Sequence, residues 1–421
     1  MNRNETNKDC NYSNAHVPKL RFPGFKGVWE VKTFGELYKK HNIKNDLSFG
    51  VDKIISVANM YFKSDVAIGD EEYLRSYNVF RLGDIAYEGH KSANYAYGRF
   101  VENTIGDGIV SHVFDVYSPI SPNHCIDYWK YAINYERVMR PILEKSTIKS
   151  TMMNNLISKD FLKQKILVPP SLAEQEKIAS CLSELDDQII SQGQKVDALK
   201  EKKKCLMQQL FPQPGKTIPY LRFPGFTKAW KEKKLGEVFS RLTRKNEENN
   251  PNVLTISAQY GLISQLDFFK KSVAAADVTG YYLLHKGEFA YNKSSSQGKS
   301  AGAIKPLKLY DKGAVSTLYI CFKCKDPREI DFWEQYFNAG VFDNEILSIA
   351  QEGARNHGLL NIPTSGFFKL KVFVPTLPEQ QKIASSLSLL DDIITLESNK
   401  LEALKQHKKG LMQQLFPKPL K

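Results

Sequence analysis

Two segments of the chain bring cationic side chains together with amide and hydroxyl groups. They follow the matched pairs Gly83-Asp84 and Gly287-Glu288 and span residues 87–95 and 291–299. Cations bind phosphate oxygens, whereas amides and hydroxyls can form hydrogen bonds with base edges. We therefore predict that both segments are loops that contact DNA, the alternative being ordinary solvated loops. The candidate residues are Tyr87, His90, Lys91, Asn94, Tyr95, Tyr291, Asn292, Lys293, Ser294, Ser296, Gln297 and Lys299.

A second pair of segments, at 145–150 and 353–358, places Lys or Arg beside small residues. Small residues let the backbone approach a phosphate closely, and the neighbouring cation adds charge attraction. This composition is compatible with DNA contact and equally with a simple turn. The candidate residues are Lys145, Thr147, Lys149, Arg355, Asn356 and His357.

The sequence lacks the residue patterns of catalytic and cofactor sites. Cys321 and Cys324 form a C-x-x-C pair, but no second Cys or His pair lies at ligand spacing, so we predict no metal site. The run from Ser296 to Ser300 ends like a phosphate-binding loop, yet Lys293 stands where that motif needs glycine. There is also no Asn/Asp-Pro-Pro-Tyr/Phe tetrad of an amino-methyltransferase, no helicase motif and no clear nuclease cluster. We therefore predict no catalytic residues and no cofactor bound by this chain.

The elements that must position these loops occur twice. Residues Pro18–Phe25 recur as Pro219–Phe226, and Leu172–Pro214 recur as Leu377–Pro419. The two offsets, 201 and 205 residues, differ by only four, which indicates one unit copied in tandem. The ends of the copies are alike and their middles differ. This pattern predicts a fixed scaffold that presents two different recognition surfaces.

The charge of the chain points toward a polyanion. The 421 residues carry a formal net charge of +13, whereas the repeated segments 172–211 and 377–416 are nearly neutral, so the excess lies outside them. The polar N-terminus does not resemble a signal peptide, and no apolar run is long enough to span a bilayer. Six Cys without regular spacing fit a reducing compartment. We therefore expect a cytoplasmic protein without membrane contact.

The repeated segments Leu172–Pro214 and Leu377–Pro419 read as two long helices with a heptad seam. Apolar residues recur in 4-3 steps, the period that keeps one helix face against a partner. Prolines bound each segment, and about 39 residues predict a rod of roughly 58 Å. Matched polar residues interrupt both seams, at Gln192 and Glu397 and again at Lys203 and Lys408. The predicted pairing residues are Ile178, Leu182, Leu185, Ile189, Gln192, Val196, Leu199, Ile383, Leu387, Leu390, Ile394, Glu397, Leu401 and Leu404.

We predict that the two helices pair antiparallel about a pseudo-two-fold axis near their midpoints. Such pairing would bring the Gln192 and Glu397 layers close together. The alternative is that each helix packs separately on its own domain.

Between the repeated ends, each copy reads as a mixed α and β domain. Short β-rich runs such as 53–57 and 108–114, with 253–256 and 313–319 in the second copy, are separated by Gly and Asn turns, and helices are predicted near Asp127 and Asp331. The fold class is therefore α+β, with two mixed domains in a tandem pseudo-repeat separated by an antiparallel coiled coil. The predicted segments are a disordered tail at 1–17, a first recognition domain at 18–170, a central helix at 171–211, a linker at 212–218, a second recognition domain at 219–376, a C-terminal helix at 377–416 and a tail at 417–421.

This order resembles the specificity subunit of type I restriction-modification systems over nearly the whole chain. The resemblance rests on two copies of Leu-x-Glu-Gln-x-Lys-Ile, at Leu172–Ile178 and Leu377–Ile383, and on the two Leu-Arg-Phe-Pro-Gly-Phe openings. It implies that each domain reads one half of a bipartite, asymmetric DNA target and that the helices set the spacer length. It also implies that the DNA-contacting loops extend over residues 87–99 and 291–300, which adds Arg99 to the candidate residues.

The resemblance also implies partners. These are two methyltransferase subunits that bind S-adenosylmethionine, and restriction subunits that use ATP and Mg²⁺ to translocate and cut DNA. Two other functions stay open from the residues alone: an active methyltransferase or nuclease with an unusual site, and a coiled-coil adaptor without DNA specificity.

Overall fold

Strands, short helices and two long helices alternate along the chain in two similar series. The computed structural model describes residues 16–64, 70–149, 153–213, 215–257, 261–269, 277–294, 300–350 and 360–420. Residue contacts divide the chain into two compact units. Unit 1 comprises Met1–Gln192 and Lys400–Lys421, and unit 2 comprises Gly193–Asn399.

Unit 1 contains the first recognition domain. Its strands are β1 Glu30–Thr33, β2 Tyr38–His41, β3 Ile55–Ser56, β4 Tyr61–Phe62, β5 Asn78–Phe80, β6 Ile85–Glu88, β7 Arg99–Glu102, β8 Gly108–Val110, β9 Val116–Pro119, β10 Thr147–Ile148, β11 Asn155–Leu156 and β12 Lys165–Val168. Its short helices are α1 Phe34–Leu37, α2 Ile126–Ala132, α3 Glu136–Ser146 and α4 Ser158–Lys163, with 3₁₀ turns at Val51–Lys53 and Glu71–Ser76.

The first long helix, α5, spans Leu172–Leu210, and the elements of unit 2 follow it. The strands of unit 2 are β13 Lys231–Lys234, β14 Phe239–Leu242, β15 Leu254–Ser257, β16 Gly261–Ser264, β17 Tyr282–His285, β18 Phe289–Asn292, β19 Ala303–Pro306, β20 Lys312–Val315, β21 Ile320–Cys324 and β22 Lys371–Val374. Its short helices are α6 Leu235–Val238, α7 Gln265–Phe269, α8 Ile330–Asn338, α9 Asp343–Ile349 and α10 Thr364–Phe367, with a 3₁₀ turn at Pro327–Glu329. The second long helix, α11, spans Leu377–Leu415.

The same sheet order appears in both units. Unit 1 has a four-stranded antiparallel sheet in the order β2-β9-β6-β7, and unit 2 has one in the order β14-β21-β18-β19. The smaller sheets β1-β12, β3-β4 and β5-β8 correspond to β13-β22, β15-β16 and β17-β20. The predicted tandem pseudo-repeat of mixed α and β domains is therefore confirmed.

Aromatic side chains form the main core of each unit. In unit 1 Phe100 stacks on Phe161 with ring centroids 4.4 Å apart, and in unit 2 Phe289 stacks on Phe322 at 5.5 Å. The helices predicted near Asp127 and Asp331 are α2 and α8, and each buries a tryptophan, Trp129 or Trp333. These cores hold the sheets whose strands lead into the candidate loops.

Both ends of the long helices belong to the domain cores. In unit 1, Ile178 and Leu182 of α5 share a core with Leu415 near the end of α11. In unit 2, Ile383 of α11 shares a core with Leu210 of α5. The boundary between the two compact units therefore falls inside each long helix, between Gln192 and Gly193 in α5 and between Asn399 and Lys400 in α11. The boundaries predicted from the sequence, at 170/171 and 376/377, instead lie where the two helices begin.

Ion pairs between the two helices show that they pair antiparallel. In unit 2, Lys195 lies 2.5 Å from Glu397, and Lys203 lies 2.6 Å from Asp391, so residue numbers rise on α5 as they fall on α11. In unit 1, Lys408 lies 2.5 Å from Asp186. The predicted antiparallel pairing is confirmed, and the predicted seam residues are all buried or half-buried. The approach of the Gln192 layer to the Glu397 layer involves residues of different units and stays a prediction.

The lysines that interrupt the seam join each domain to the helix pair. In unit 1, Asp186 accepts hydrogen bonds from Lys408 and from the Tyr131 hydroxyl, at 2.5 and 2.7 Å. In unit 2, the matched carboxylate of Asp391 accepts from Lys203 at 2.6 Å and from the Gln335 amide at 3.0 Å. Each carboxylate therefore connects three helices: α2 or α8 of the domain and both members of the pair.

A second junction explains the repeated Leu-Arg-Phe-Pro-Gly-Phe and Leu-x-Glu-Gln motifs. Arg21 donates two hydrogen bonds to Glu174 at the start of α5, at 2.8 and 2.7 Å, and Trp29 donates to the same carboxylate at 3.3 Å. The Leu20 amide donates to the Gln414 carbonyl near the end of α11. The motif therefore fastens the beginning of one helix and the end of the other within unit 1, and unit 2 repeats this arrangement.

Candidate nucleic-acid interface

The turn before each candidate loop is fixed by an acidic side chain. Gly83 takes a φ of +84°, a conformation that glycine adopts without strain. Asp84 then accepts hydrogen bonds from the Arg81 amide at 2.8 Å and from the Ser118 hydroxyl at 2.6 Å. In unit 2, Glu288 accepts from the His285 amide at 2.7 Å in the same place. The Gly-Asp and Gly-Glu pairs thus orient strands β6 and β18, which lead into the loops.

The two loops are closed in the same way. We define loop A as residues 88–97 in unit 1 and residues 292–301 in unit 2. The Tyr87 hydroxyl donates to the Tyr97 carbonyl at 2.7 Å, and the Tyr291 hydroxyl donates to the Ala301 carbonyl at 2.9 Å. The next residue is a glycine with a φ of +77° in both units, where a Cβ would clash with the backbone of residue 88 or 292. Both loops therefore have the same length and the same closure, although their sequences differ.

This geometry corrects the role predicted for Tyr87 and Tyr291. Their side chains are buried in the domain cores, with 6% and 0% of their surface exposed. Burial raises the pKa of both phenols, so the hydroxyls stay protonated and can donate to the loop backbone. They position loop A and leave no exposed ring face for a base.

In unit 1 the second candidate segment leads into residues that lie against loop A. We define loop B as residues 147–156 in unit 1; the matching residues 351–359 of unit 2 lie outside the described residues. In unit 1 the Asn154 amide donates to the Gly89 carbonyl at 2.8 Å, and the Asn154 side chain donates to the Ala96 carbonyl at 3.1 Å. In unit 2 the Leu360 amide donates to the Lys293 carbonyl at 3.0 Å. The structure therefore brings together segments that lie about sixty residues apart in the sequence.

Several predicted contact residues of unit 1 are accessible, and others are not. His90, Lys91, Asn94, Lys145 and Lys149 are exposed, and Tyr95 is half-buried. Lys149 lies over the Tyr97 ring, 5.4 Å from its centroid, next to the closure of loop A. Lys145 instead borders a cavity of about 220 Å³ that Trp29 and Phe416 also line.

Arg99 and Thr147 have partners within the protein. The Arg99 guanidinium donates to Glu88 at 2.7 Å and to the Ala58 carbonyl at 2.7 Å, and only 22% of this side chain is exposed. The half-buried Thr147 hydroxyl donates to the Leu143 carbonyl at 2.8 Å. Both side chains therefore stabilise the loops from within the protein, and their contact with DNA stays a prediction.

Part of the predicted site in unit 2 lies within the described residues. Asn292 and Lys293 are half-buried and Ser294 is exposed. The Asn292 side-chain oxygen accepts from the Ser294 amide at 3.1 Å, which shapes the first turn of loop A. The remaining candidates lie outside the described residues: Ser296, Gln297, Lys299, Arg355, Asn356 and His357.

A groove runs beside loop A of unit 1. Its volume is about 1080 Å³, and Asn94 and Tyr95 of loop A line it. Lys130, Arg140 and Lys408 contribute positive charge to its walls, and Glu136 and Asp186 contribute negative charge. Asn59 and Met60, from the turn between β3 and β4, complete the wall. Sequence reasoning missed this turn because its residues carry no charge and lie far from the candidate loops.

The C-x-x-C pair lies in the interior of unit 2. Cys321 and Cys324 are buried in β21, and burial raises the pKa of each thiol to about 12. Within the described ranges, no group of three or more His, Cys, Asp or Glu residues is placed so that it could hold a metal ion. Over the same ranges, no helix is both long and apolar enough to cross a membrane.

Comparisons with known proteins agree with this geometry. Residues 26–201 and 227–406 match the family model described as "Type I restriction modification DNA specificity domain". The chain is similar to a type I restriction-modification system S subunit from M. genitalium, with 15% identity, a TM-score of 0.53 and coverage of 95% of this chain and 99% of that chain. It is also similar to a chain from a study of complex assembly and conformational transition of the type I R-M system, with 13% identity, a TM-score of 0.56 and coverage of 96% and 100%. These identities support a shared fold only. No curated protein sequence matched the chain significantly.

Proposed function

The chain belongs to the family of type I restriction modification DNA specificity domains, and from this membership we propose that it reads a bipartite DNA target, one half-site per unit. The family assigns the chain to DNA sequence specificity. The division of the target into two different half-sites is our proposal.

One observation carries the proposal most directly. Each unit closes a ten-residue loop A by the same tyrosine bond and the same glycine, and in each a later residue, Asn154 or Leu360, donates a hydrogen bond to the backbone of loop A. The side chains on these matching backbones differ, with His90, Lys91 and Asn94 in unit 1 and Asn292, Lys293 and Ser294 at the start of the loop in unit 2. Two loops with the same backbone closure and different side chains are suited to recognising two different DNA sequences, so the target need not be a palindrome.

We also propose that the helix pair sets the gap between the half-sites. Each helix has 39 residues, which corresponds to a length of roughly 58 Å. A long helix resists bending, and the ion pairs between α5 and α11 fix their register.

The family further leads us to propose the partners. Two methyltransferase subunits would supply S-adenosylmethionine chemistry, and restriction subunits would use ATP and Mg²⁺. This chain would bind none of these cofactors and would contribute recognition without catalysis.

Selection from a random duplex library tests the proposed function. The full chain should enrich duplexes with two unlike half-sites separated by a constant gap. Enrichment of a single contiguous site, or of no sequence, would contradict the proposal. Methylation or cleavage of DNA by the purified chain alone would instead favour a catalytic function.

A loop graft tests the assignment of half-sites. Replacing residues 292–301 with residues 88–97 keeps the loop length and leaves both closing tyrosines in place. The variant should select a target in which only one half-site has changed. The reciprocal graft, of 292–301 into 88–97, is the matched control and should change only the other half-site.

A paired deletion tests the role of the helices. Removing residues 188–194 and 400–406 takes one heptad from each helix and retains the pairs Asp186–Lys408 and Lys195–Glu397. Seven residues correspond to about 10 Å of helix, or about 3 base pairs of DNA. The selected gap should shorten by that amount with both half-sites unchanged. Changed half-sites with a constant gap would contradict a measuring role.

A further inference from the structure

Unit 2 exposes two adjacent phenylalanines on a short helix that the proposed function has not used. Phe268 and Phe269 of α7 have 46% and 45% of their surfaces exposed, and Leu266 on the same helix has 56%. The two rings pack edge to face, with centroids 4.8 Å apart. An apolar cluster of this kind usually marks a surface that meets a ligand or partner.

The backbone of α7 is held in place although its rings are exposed. The Tyr310 hydroxyl donates to Asp267 at 2.9 Å and accepts from the Ser264 amide at 3.1 Å. The Gln265 amide donates to the Val253 carbonyl at 2.8 Å. These bonds fix the backbone at the start of α7, directly before the two exposed rings.

Unit 1 has a corresponding feature at the hairpin β3-β4. Tyr61 is 50% exposed, and the adjacent Phe62 is half-buried, with the Lys53 ammonium 5.0 Å from its ring centroid. In the sequence, two aromatic residues are followed by lysine in both copies, as Tyr61-Phe62-Lys63 and Phe268-Phe269-Lys270, of which Lys270 lies outside the described residues. Tyr61 and Phe62 form β4 of the hairpin β3-β4, whereas Phe268 and Phe269 lie on α7, which follows the hairpin β15-β16. Each unit therefore carries exposed aromatic surface on this hairpin or directly after it.

This hairpin adjoins loop A. In unit 1, the Arg99 guanidinium at the end of loop A donates to the Ala58 carbonyl in the hairpin turn at 2.7 Å. Asn59 and Met60 of that turn line the same groove as Asn94 and Tyr95 of loop A. In unit 2, β16 of the hairpin packs against β19, the strand that leaves loop A. The exposed rings therefore belong to the same part of each unit as the reading loops.

We propose that Tyr61 in unit 1 and Phe268 and Phe269 in unit 2 are DNA-contacting residues that place their rings against bases at the edge of each half-site. Aromatic side chains bind DNA by stacking on bases or by wedging between base steps, and adjacent lysines bind the flanking phosphates. DNA fits this surface better than an apolar protein partner because the Lys53 ammonium lies over the Phe62 ring in unit 1 and because the hairpin of each unit adjoins loop A. This inference rests on the proposed function, to which it adds a third contact element.

Paired alanine substitutions test the inference in the full chain. Phe268→Ala with Phe269→Ala should weaken binding to the selected bipartite duplex about tenfold or more, because each base–aromatic contact contributes substantially to affinity. The matched control is Leu389→Ala with Leu396→Ala, which removes side chains of α11 that are 61% and 67% exposed in the same unit. The control variant should bind like the wild type. Thermal unfolding of both variants checks that the fold is retained.

Photo-crosslinking to 5-iodouracil gives a second measurement on the unsubstituted protein. Duplexes carrying this base at the edges of the half-sites should crosslink to Tyr61 at one edge and to Phe268 or Phe269 at the other. The inference requires both results. Binding by the double phenylalanine variant within twofold of the wild type, or crosslinks confined to other peptides, overturns it. If the wild-type chain selects no duplex at all, the proposed function itself has failed.

Discussion

The buried arginine–glutamate pair at the start of each long helix leads to a quantitative prediction. In unit 2, Arg222 donates to Glu379 at 2.9 and 2.7 Å, and Trp230 donates to the same carboxylate at 3.3 Å. The Glu379 side chain is 1% exposed and that of Arg222 is 14% exposed. Glu379→Ala would leave the Trp230 indole N–H without its acceptor inside the protein and the Arg222 guanidinium with only the Lys228 carbonyl.

The expected cost follows from this burial. Removing one partner of a buried ion pair costs about 3–5 kcal/mol, because the remaining charge is uncompensated. For a unit of this size, each kcal/mol lowers the melting temperature by about 2–4 °C, so the fall should be about 6–20 °C. Replacing both partners, as Arg222→Leu with Glu379→Leu, should cost less than Glu379→Ala alone, because no buried charge is then left unpaired.

Urea unfolding followed by tryptophan fluorescence measures this effect, since Trp230 contacts the altered carboxylate. Glu174→Ala removes the matched carboxylate in unit 1 and should cost a similar amount. Glu402→Ala, which changes an exposed residue of the same helix, serves as the control and should cost less than about 1 kcal/mol. The reasoning is refuted if Glu379→Ala costs no more than Glu402→Ala, or if the double leucine variant is the least stable of the set.

Three further predictions concern the helix pair, the loops and the cysteines. Lys203→Asp should lower the free energy of unfolding by only about 1 kcal/mol, because the side chain of its partner Asp391 is 45% exposed. The double variant Lys203→Asp with Asp391→Lys should recover most of this loss. A double variant less stable than the single variant would contradict a stabilising ion pair. Tyr291→Phe should lower the free energy of unfolding by about 1–3 kcal/mol, because it leaves the Ala301 carbonyl unpaired. Selection of DNA duplexes by this variant should show a relaxed sequence preference in only one half-site, and Tyr87→Phe should relax the other. Iodoacetamide at pH 8 should modify the exposed Cys205 and spare Cys321 and Cys324 until denaturant is added. Thiols with a pKa of about 12 remain protonated at pH 8 and therefore react slowly. Rapid labelling of Cys321 in the native protein, detected by mass spectrometry, would contradict the burial of these thiols.

The sequence predicted the long helices well because their signals are local and periodic. Proline bounds each helix, and the heptad seam is read directly from residue spacing, so α5 and α11 begin and end within one residue of the predicted limits. The reason for the polar interruptions was not predictable. Lys203 reads as a break in the seam, and only the fold places Asp391 and the domain residue Gln335 around a common point.

The loops were predicted in part. Their composition located the exposed residues His90, Lys91 and Asn94, but a tyrosine in a loop motif gives no sign of whether it faces solvent or core, and Tyr87 faces the core. The contact of loop A with loop B, and of Arg99 with the hairpin turn, depends on pairing between segments that are distant in the sequence. Such pairing has no local signal, so the hairpin that carries Tyr61 was missed.

The structure gives a physical reason why the ends of the two copies are alike and the middles differ. Helix α5 carries Asp186 in its first half and Lys203 in its second half, and α11 carries Asp391 and Lys408 in the same order. Asp186 pairs with Lys408, and Lys203 pairs with Asp391, so each ion pair joins the two copies. A change at one of these positions therefore loses an ion pair that a matching change in the other copy can restore. Loop A is different, because its closure depends on a buried tyrosine, a glycine and backbone carbonyls. Its exposed side chains can therefore change without altering the backbone conformation of the loop. Two copies built in this way can come to read different sequences while their helices remain matched.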